Sequence, residues 1–509
     1  MLEFFVVMFV FAVMFVHMEH NAQKKRAKAE FNYVPEPFLG SAGYATDKDC
    51  KRAGLFARTG IPCGYSPESG RPLKYAGDAM AITIAPTGSG KGTCQELPAL
   101  MSLDDRSIIA LCSKGEAPAI TAAYRAKLGP CNTVAPYGGV PPNCGGIVGA
   151  KLNPMDPLSD RLLSEANFNA ESRALAEPLI FRETQNAESE FFNSTSVNAV
   201  HAVIMGVARH EPREKRTLNR VAEICATDEI FEWSRKISDI TDVPFLKQKL
   251  GLFATAKGDD RTLMGILQTV RSNLDFLNDP GVADSVSRSD FDYGTDRDEI
   301  ATQFITVPPN RIDVGGRFLA LHLNTALNRL LRPGRGERRV TIICDEFFSY
   351  GALPAVEKAI GISRAFGVQI WPILQDLSQL EARYPKTYQT FLANAGLRVF
   401  MTPQDQKTAS YVSEQIGITT VSQWQKSVNF DQQNGVKPGW TRPPSARPLE
   451  HPHEVRACSE DRMYVFVRGL ANVIKARRIP YFQRAEFRGK YRDNPYYKRA
   501  SGVFSRIFG

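Results

Sequence analysis

Three short stretches of this chain hold residue types at spacings that can do chemistry on phosphates. The first is Ala85-Pro86-Thr87-Gly88-Ser89-Gly90-Lys91-Gly92-Thr93, directly after an apolar run at Ala81–Ala85 and before a helical pattern. Glycines there let successive backbone N–H groups turn inward around a phosphate, and a helix N-terminus adds the positive end of its dipole. Thr87, Gly88, Ser89, Gly90, Lys91, Gly92 and Thr93 form the expected cradle, with Lys91 bringing a mobile positive charge to β- and γ-phosphates. Two positions depart from the usual phosphate-binding loop. Ala85 stands for its first glycine, and Gly92 for the serine or threonine whose hydroxyl ordinarily ligates magnesium. Thr93 follows one residue late, which leaves open whether it takes that place.

Such a loop needs an acid to order the metal and a base to activate water. Val340-Thr341-Ile342-Ile343-Cys344-Asp345-Glu346 offers both at the end of an apolar strand. Asp345 would order Mg2+ through its water shell, and Glu346 would act as general base. Gln375 closes the following strand, Val368–Leu374, where a carboxamide can sense a γ-phosphate. Arg364, at the end of the helical stretch Leu353–Phe366, would reach the γ-phosphate of a neighbouring subunit as an arginine finger. An Asp-Glu pair after apolar residues is common alone; beside a glycine-rich phosphate loop it becomes specific.

The elements that must position these residues read as an α/β fold. From about Gly40 short β-rich runs alternate with helical patterns, as in a mostly parallel sheet covered by helices. Expected strands are Ala81–Ala85, Ser107–Cys112, Thr133–Pro136, Val340–Cys344, Val368–Leu374, Leu397–Met401 and Met463–Val467. Between about Ser159 and Asp290 helical periodicity takes over, with Val200, Val203, Ile204 and Val207 on one face. The reading is an α/β P-loop nucleotide-binding domain with an inserted all-α domain and a short N-terminal membrane helix. Its segments are an anchor over 1–23, a first nucleotide-binding part over 24–158, the all-α insertion over 159–290, and a second nucleotide-binding part over 291–509. Gly435 to Pro452, rich in Pro, Gly and Arg, reads as a loop.

At 509 residues, with 43% hydrophobic composition, the chain can bury sizeable cores. Its formal charge is +9, from 63 basic against 54 acidic residues, and the excess sits at one end. From Lys475 onward ten Lys and Arg residues face only Glu486 and Asp493, a candidate surface for phosphate or anionic lipid. Nine scattered cysteines without a Cys-x-x-Cys pair argue against a disulfide framework or a zinc site. Phe4 to Val16 is uninterrupted apolar sequence followed by Lys24, Lys25, Arg26 and Lys28. That is short against the roughly 20 residues of a spanning helix. The charge order is the reverse of a signal peptide, and it places the bulk of the chain in the cytoplasm.

On Gly40-Ser41-Ala42, the Ala85–Gly92 loop, Asp345-Glu346-Phe347 with Leu353-Pro354, Gln375-Asp376-Leu377-Ser378-Gln379-Leu380 and Ile479-Pro480-Tyr481, the chain resembles the type IV secretion coupling proteins, the TraG/TraD-like conjugative motor ATPases. The resemblance runs from about residue 37 to 495. It implies a RecA-like P-loop NTPase domain, ATP and Mg2+ as cofactors, a homohexamer, and a place at the bacterial inner membrane with one span or a truncated pair. It also implies as partners single-stranded DNA bound without sequence preference, a relaxase or secreted protein, and components of the secretion channel. Glu346 lies 18 residues before Arg364 and 29 before Gln375, as that family spaces its finger arginine and its glutamine. The Lys-Gly form of the loop is familiar there, but Cys112-Ser113 stands where relatives commonly carry an aspartate and a proline. The alternatives are a DNA-translocating ATPase unrelated to secretion, and an ATP-binding receptor with little turnover.

Overall fold

Apolar runs without polar alternation, such as Ser107–Cys112 and Val340–Cys344, are strands that need cover on both faces. In the computed structural model they lie near the middle of a twelve-stranded sheet, and every residue in both is buried. The structure describes residues 39–159, 163–181, 187–255, 261–333, 336–423, 425–431, 435–441 and 443–496. The expected anchor over 1–23 lies outside them, and among the described residues no helix is long and apolar enough to cross a membrane.

The strands are β1 (Ile61–Tyr65), β2 (Pro72–Tyr75), β3 (Ala81–Ile84), β4 (Ser107–Cys112), β5 (Cys131–Val134), β6 (Ile147–Val148), β7 (Thr302–Thr306), β8 (Val340–Cys344), β9 (Val368–Leu374), β10 (Leu397–Phe400), β11 (Ile418–Ser422), β12 (Gln425–Asp431), β13 (Gly435–Thr441), β14 (Pro444–Pro448), β15 (Arg462–Val467) and β16 (Ile474–Arg477). The large sheet runs β2-β1-β16-β15-β10-β3-β9-β8-β4-β7-β5-β6. From β10 to β6 each neighbouring pair is parallel. From β10 outward to β2 each is antiparallel. The strand expected at Thr133–Pro136 is β5, which begins two residues earlier and ends at Val134, before Pro136. Between β6 and β7 every described element is helical, from Asp156–Ser159 to Tyr293–Arg297. Within it, Val200, Val203, Ile204 and Val207 are fully buried along the helix Ala187–His210.

The described chain forms two compact units: residues 39–43 with 413–451, and residues 44–412 with 452–496. In the smaller unit β11 pairs with β14 and β12 with β13, both antiparallel. The expected loop from Gly435 is therefore strand over most of its length. Its glycines and prolines broke the alternation that marks strands, while backbone pairing does not need that alternation. Gly40 lies so close to this ladder that an added Cβ would stand 2.4 Å from the Ile418 carbonyl oxygen. Only glycine fits there.

In the larger unit one buried cation ties helices to the sheet. Arg125, 1% exposed, donates to the Leu103 carbonyl (2.6 Å), the Arg106 carbonyl (3.0 Å) and the Thr302 hydroxyl (2.7 Å). Burial lowers its pKa to about 10. Arg125→Met keeps the apolar stem but orphans those buried acceptors, and should cost on the order of 3 kcal/mol. Thermal unfolding checks this: an unchanged melting temperature would mean that water replaces the guanidinium without loss.

Candidate active site

Because β3, β9, β8 and β4 run parallel, their carboxyl ends meet on one edge, where ligands of open α/β sheets bind. The glycine-rich loop leaves β3, Gln375 follows β9, Asp345 and Glu346 follow β8, and Ser113 follows β4. In the loop Gly88 and Gly90 both take φ of +81°, a region open to glycine. The chain then enters a π-type turn at Gly92–Glu96 and continues as the helix Leu97–Ser102. Such turns are rare and gather at functional sites. A buried relay fixes this one. Trp371 Nε1 donates to Thr83 Oγ1 (3.0 Å), Thr83 donates to Gln95 Oε1 (2.7 Å), and Gln95 Nε2 donates to the Pro62 carbonyl (3.2 Å). Strands β9, β3 and β1 thus hold the turn through satisfied polar groups.

Lys91 crosses from the loop to the acids. Its Nζ lies 2.9 Å from Asp345 Oδ1 and 2.5 Å from Glu346 Oε1, with the side chain only 18% exposed. Burial pulls the ammonium pKa down, but the two carboxylates outweigh it and raise it above the ordinary value. Asp345 is buried, and its Oδ2 accepts from Ser113 Oγ at 2.9 Å. Gln375 Nε2 donates to the free oxygen of Glu346, Oε2, at 3.1 Å. Glu346 has φ of +50°, uncommon for a residue with a side chain and a mark of locally stored strain. Tyr350 supports that turn, its hydroxyl donating to the Asp345 carbonyl at 2.7 Å.

The structure therefore brings Lys91, Asp345, Glu346 and Gln375 together. Arg364 is elsewhere in its own subunit: its side chain is 61% exposed and its Nε pairs with Asp78 Oδ1 at 2.9 Å. The Thr93 hydroxyl donates to the Gly90 carbonyl at 3.2 Å.

A cavity of about 940 Å3 opens beside this cluster, lined by Thr87, Gly88, Gly90, Lys91, Gly92 and Thr93 of the loop and by Asp345 and Glu346. Residues that sequence reasoning missed complete the wall. Glu96 and Cys112 line it from within, and Tyr481, Phe482, Tyr491 and Asn494 close it from the C-terminal segment. Burial, then the charge of Asp345, push the Glu96 carboxyl above the usual range. A glutamate set directly before the apolar run Leu97–Met101 was the available signal for it.

The basic C-terminal segment is only in part the open surface its composition suggests. Arg478 and Arg484 are buried; Arg478 donates to the Ser89 carbonyl of the loop, and Arg484 to the Ile479 carbonyl at 2.6 Å. Lys490 donates to the Met101 carbonyl at 3.1 Å and Arg492 to the Asn143 carbonyl. Four of its charges are structural tethers, and burial removes two of them, Arg478 and Arg484, from any phosphate track. Lys498, Arg499 and Arg506 lie outside the described residues.

A model of the family described as type IV secretory system conjugative DNA transfer matches residues 44–501. The protein VirD4 of Agrobacterium fabrum is 26% identical over 457 residues, covering 87% of this chain and 64% of that protein. Conjugal transfer protein TraG of Escherichia coli is 25% identical over 433 residues, covering 75% of this chain and 64% of TraG. The chain thus spans a little under two thirds of these relatives. Among solved structures, the plasmid coupling protein TrwB in complex with ADP and Mg2+ superposes with a TM-score of 0.62 at 15% identity, covering 88% of this chain and 96% of that one. TrwB with a non-hydrolysable ATP analogue gives the same values. At that identity the likeness speaks for the fold, a mixed α/β architecture with a large central sheet.

Because Arg478 holds the loop by a main-chain oxygen, Arg478→Ala should loosen it. Hydrogen exchange should speed up at the amides of residues 87–93, while amides of β8 keep their protection. Equal protection in the variant would assign the tether no part in ordering the loop.

Proposed function

This chain belongs to the type IV secretory system conjugative DNA transfer family, and we propose that it is an ATP-hydrolysing coupling protein that recruits DNA with a bound relaxase, or an effector protein, and drives it into the secretion channel. The observation that carries the reading is the cluster in which one ammonium, Lys91, is shared by Asp345 and Glu346 while Gln375 holds the second oxygen of Glu346. The donor set suits ATP with Mg2+. Backbone N–H groups around Gly88 and Gly90 and the Lys91 charge answer phosphates, and a buried carboxylate oriented by Ser113 answers a hydrated cation. TrwB, the neighbour in fold, has been solved with ADP and Mg2+.

Bound Mg2+ offsets charge on the phosphate oxygens. The protein's own residues do the rest. Phosphate draws Lys91 away from the carboxylates and toward the β- and γ-oxygens. Glu346, freed of its ammonium, accepts a proton from the water that attacks the γ-phosphorus, as the bond to the β-phosphate oxygen breaks and ADP leaves. Gln375 keeps Glu346 aimed and is positioned to sense the γ-phosphate. Arg364, exposed and away from its own Lys91, suits a finger offered to the next subunit of a homohexamer. The helices between β6 and β7 are read as an inserted domain on the cytoplasmic side, and residues 1–23 as the anchor at the inner membrane. The DNA is taken to be single-stranded and bound without sequence preference.

Two experiments test this. Lys91→Ala should abolish DNA-stimulated ATP turnover and transfer; normal turnover would remove the phosphate loop from the account. The ring is tested by mixing Arg364→Ala with Glu346→Gln, each of which should be inactive, since loss of a finger costs about 10³–10⁵ in rate. Mixed rings contain interfaces with an intact Glu346 on one side and an intact Arg364 on the other, so activity should return. Mixed rings that stay inactive would place Arg364 outside catalysis.

A further inference from the structure

Gly92 leaves a gap where phosphate-binding loops ordinarily offer a serine or threonine hydroxyl to magnesium. The π-type turn through Gly92–Glu96 returns a different group to that place. Beyond its chain neighbours and the backbone of its own turn, the one heavy atom that a Cβ built on Gly92 would meet within 4 Å is Glu96 Oε2, at 4.0 Å. Glu96 is 7% exposed, and that remaining exposure faces the cavity it lines with Lys91 and Asp345. Its Oε1 accepts from Cys112 Sγ at 3.4 Å, and among the described residues no donor reaches Oε2.

Charge makes the same point. Glu96, Asp345 and Glu346 share the cavity wall, and Lys91 bonds only the last two. Once phosphate draws Lys91 off, the buried Asp345 is left without its cation, which costs heavily unless one is supplied. A small, hard dication that prefers oxygen ligands restores the balance.

We infer that Glu96 is a cation-facing carboxylate of this site, taking with Asp345 the part of the hydroxyl that Gly92 lacks. The inference rests on the reading of the cavity as a site for ATP and Mg2+. It assigns to this chain a metal-holding residue that the loop motif does not contain.

The test uses the full chain with ADP, and Mn2+ as the probe, with free Mn2+ read by electron paramagnetic resonance. Glu96→Gln keeps the shape and the Cys112 contact but cannot offer a carboxylate to a cation. It should weaken Mn2+ binding in the ADP complex by about tenfold or more, while ADP affinity in EDTA and the melting temperature stay unchanged. Gly92→Ser added to Glu96→Gln restores a hydroxyl in a place with room for it, and should recover Mn2+ affinity without restoring the carboxylate. Unchanged Mn2+ affinity in Glu96→Gln with intact ADP binding would overturn this inference alone. Should the double variant show no recovery, Glu96 does not stand in for the hydroxyl. No binding of ADP by the unaltered chain would overturn the nucleotide reading, and this inference with it.

Discussion

Two carboxylates at the end of one strand cannot be buried together without a cation, and Lys91 is that cation. Asp345 is 6% exposed and Glu346 stands beside it in strained backbone, so their mutual repulsion acts where water screens it poorly. The lysine that neutralises them belongs to a loop two strands away, since β9 lies between β3 and β8. Closing that distance determines much else. The loop must turn on glycines, β9 must end where Gln375 can reach Glu346, and the turn after the loop must be held by the relay from Trp371 to Pro62. An ion pair that spans the loop and the acids is also a device with two states. The cation rests on the acids until phosphate, a better partner, takes it.

The last part of the chain serves the same site from the other side. Arg478 binds a carbonyl of the loop 389 residues earlier, and Tyr481 packs edge to face on Tyr491, ring centroids 4.8 Å apart, as the cavity wall. The C-terminal segment of the larger unit thus meets the phosphate loop across nearly the whole chain, so the site forms only when the distant parts of the sheet have come together. Two of the charges read from composition as a surface for polyanions, Arg478 and Arg484, are consumed in that closure. A guanidinium donating to main-chain oxygens while stacked on Tyr65, as Arg484 is, has no water left to exchange for a phosphate.

Much of this was legible in the residues. The strands β4, β8 and β9 matched their apolar runs because a strand buried on both faces carries its pattern locally, and the loop with Asp345, Glu346 and Gln375 is legible because each sits within a few residues of a strand end. What stayed hidden depends on distance or register. Glu96 acquires its meaning from a π-type turn and from Cys112 on another strand, and the wall at Tyr481 and Tyr491 from contacts across nearly the whole chain. The β12–β13 ladder was hidden for another reason: its pairing is between backbones, and glycine and proline masked it.

The central claim is that Glu346 both detains Lys91 and supplies the base. Glu346→Gln separates those two effects, because an amide loosens the hold on the ammonium, leaving Asp345 as its one charged partner, yet cannot take a proton. The measurement is ATP affinity together with single-turnover hydrolysis in the same variant. Affinity should rise, since phosphate no longer competes with Glu346 for Lys91, while hydrolysis falls by roughly 10²–10⁴. Hydrolysis at the unaltered rate, or affinity and rate falling together, would contradict the account.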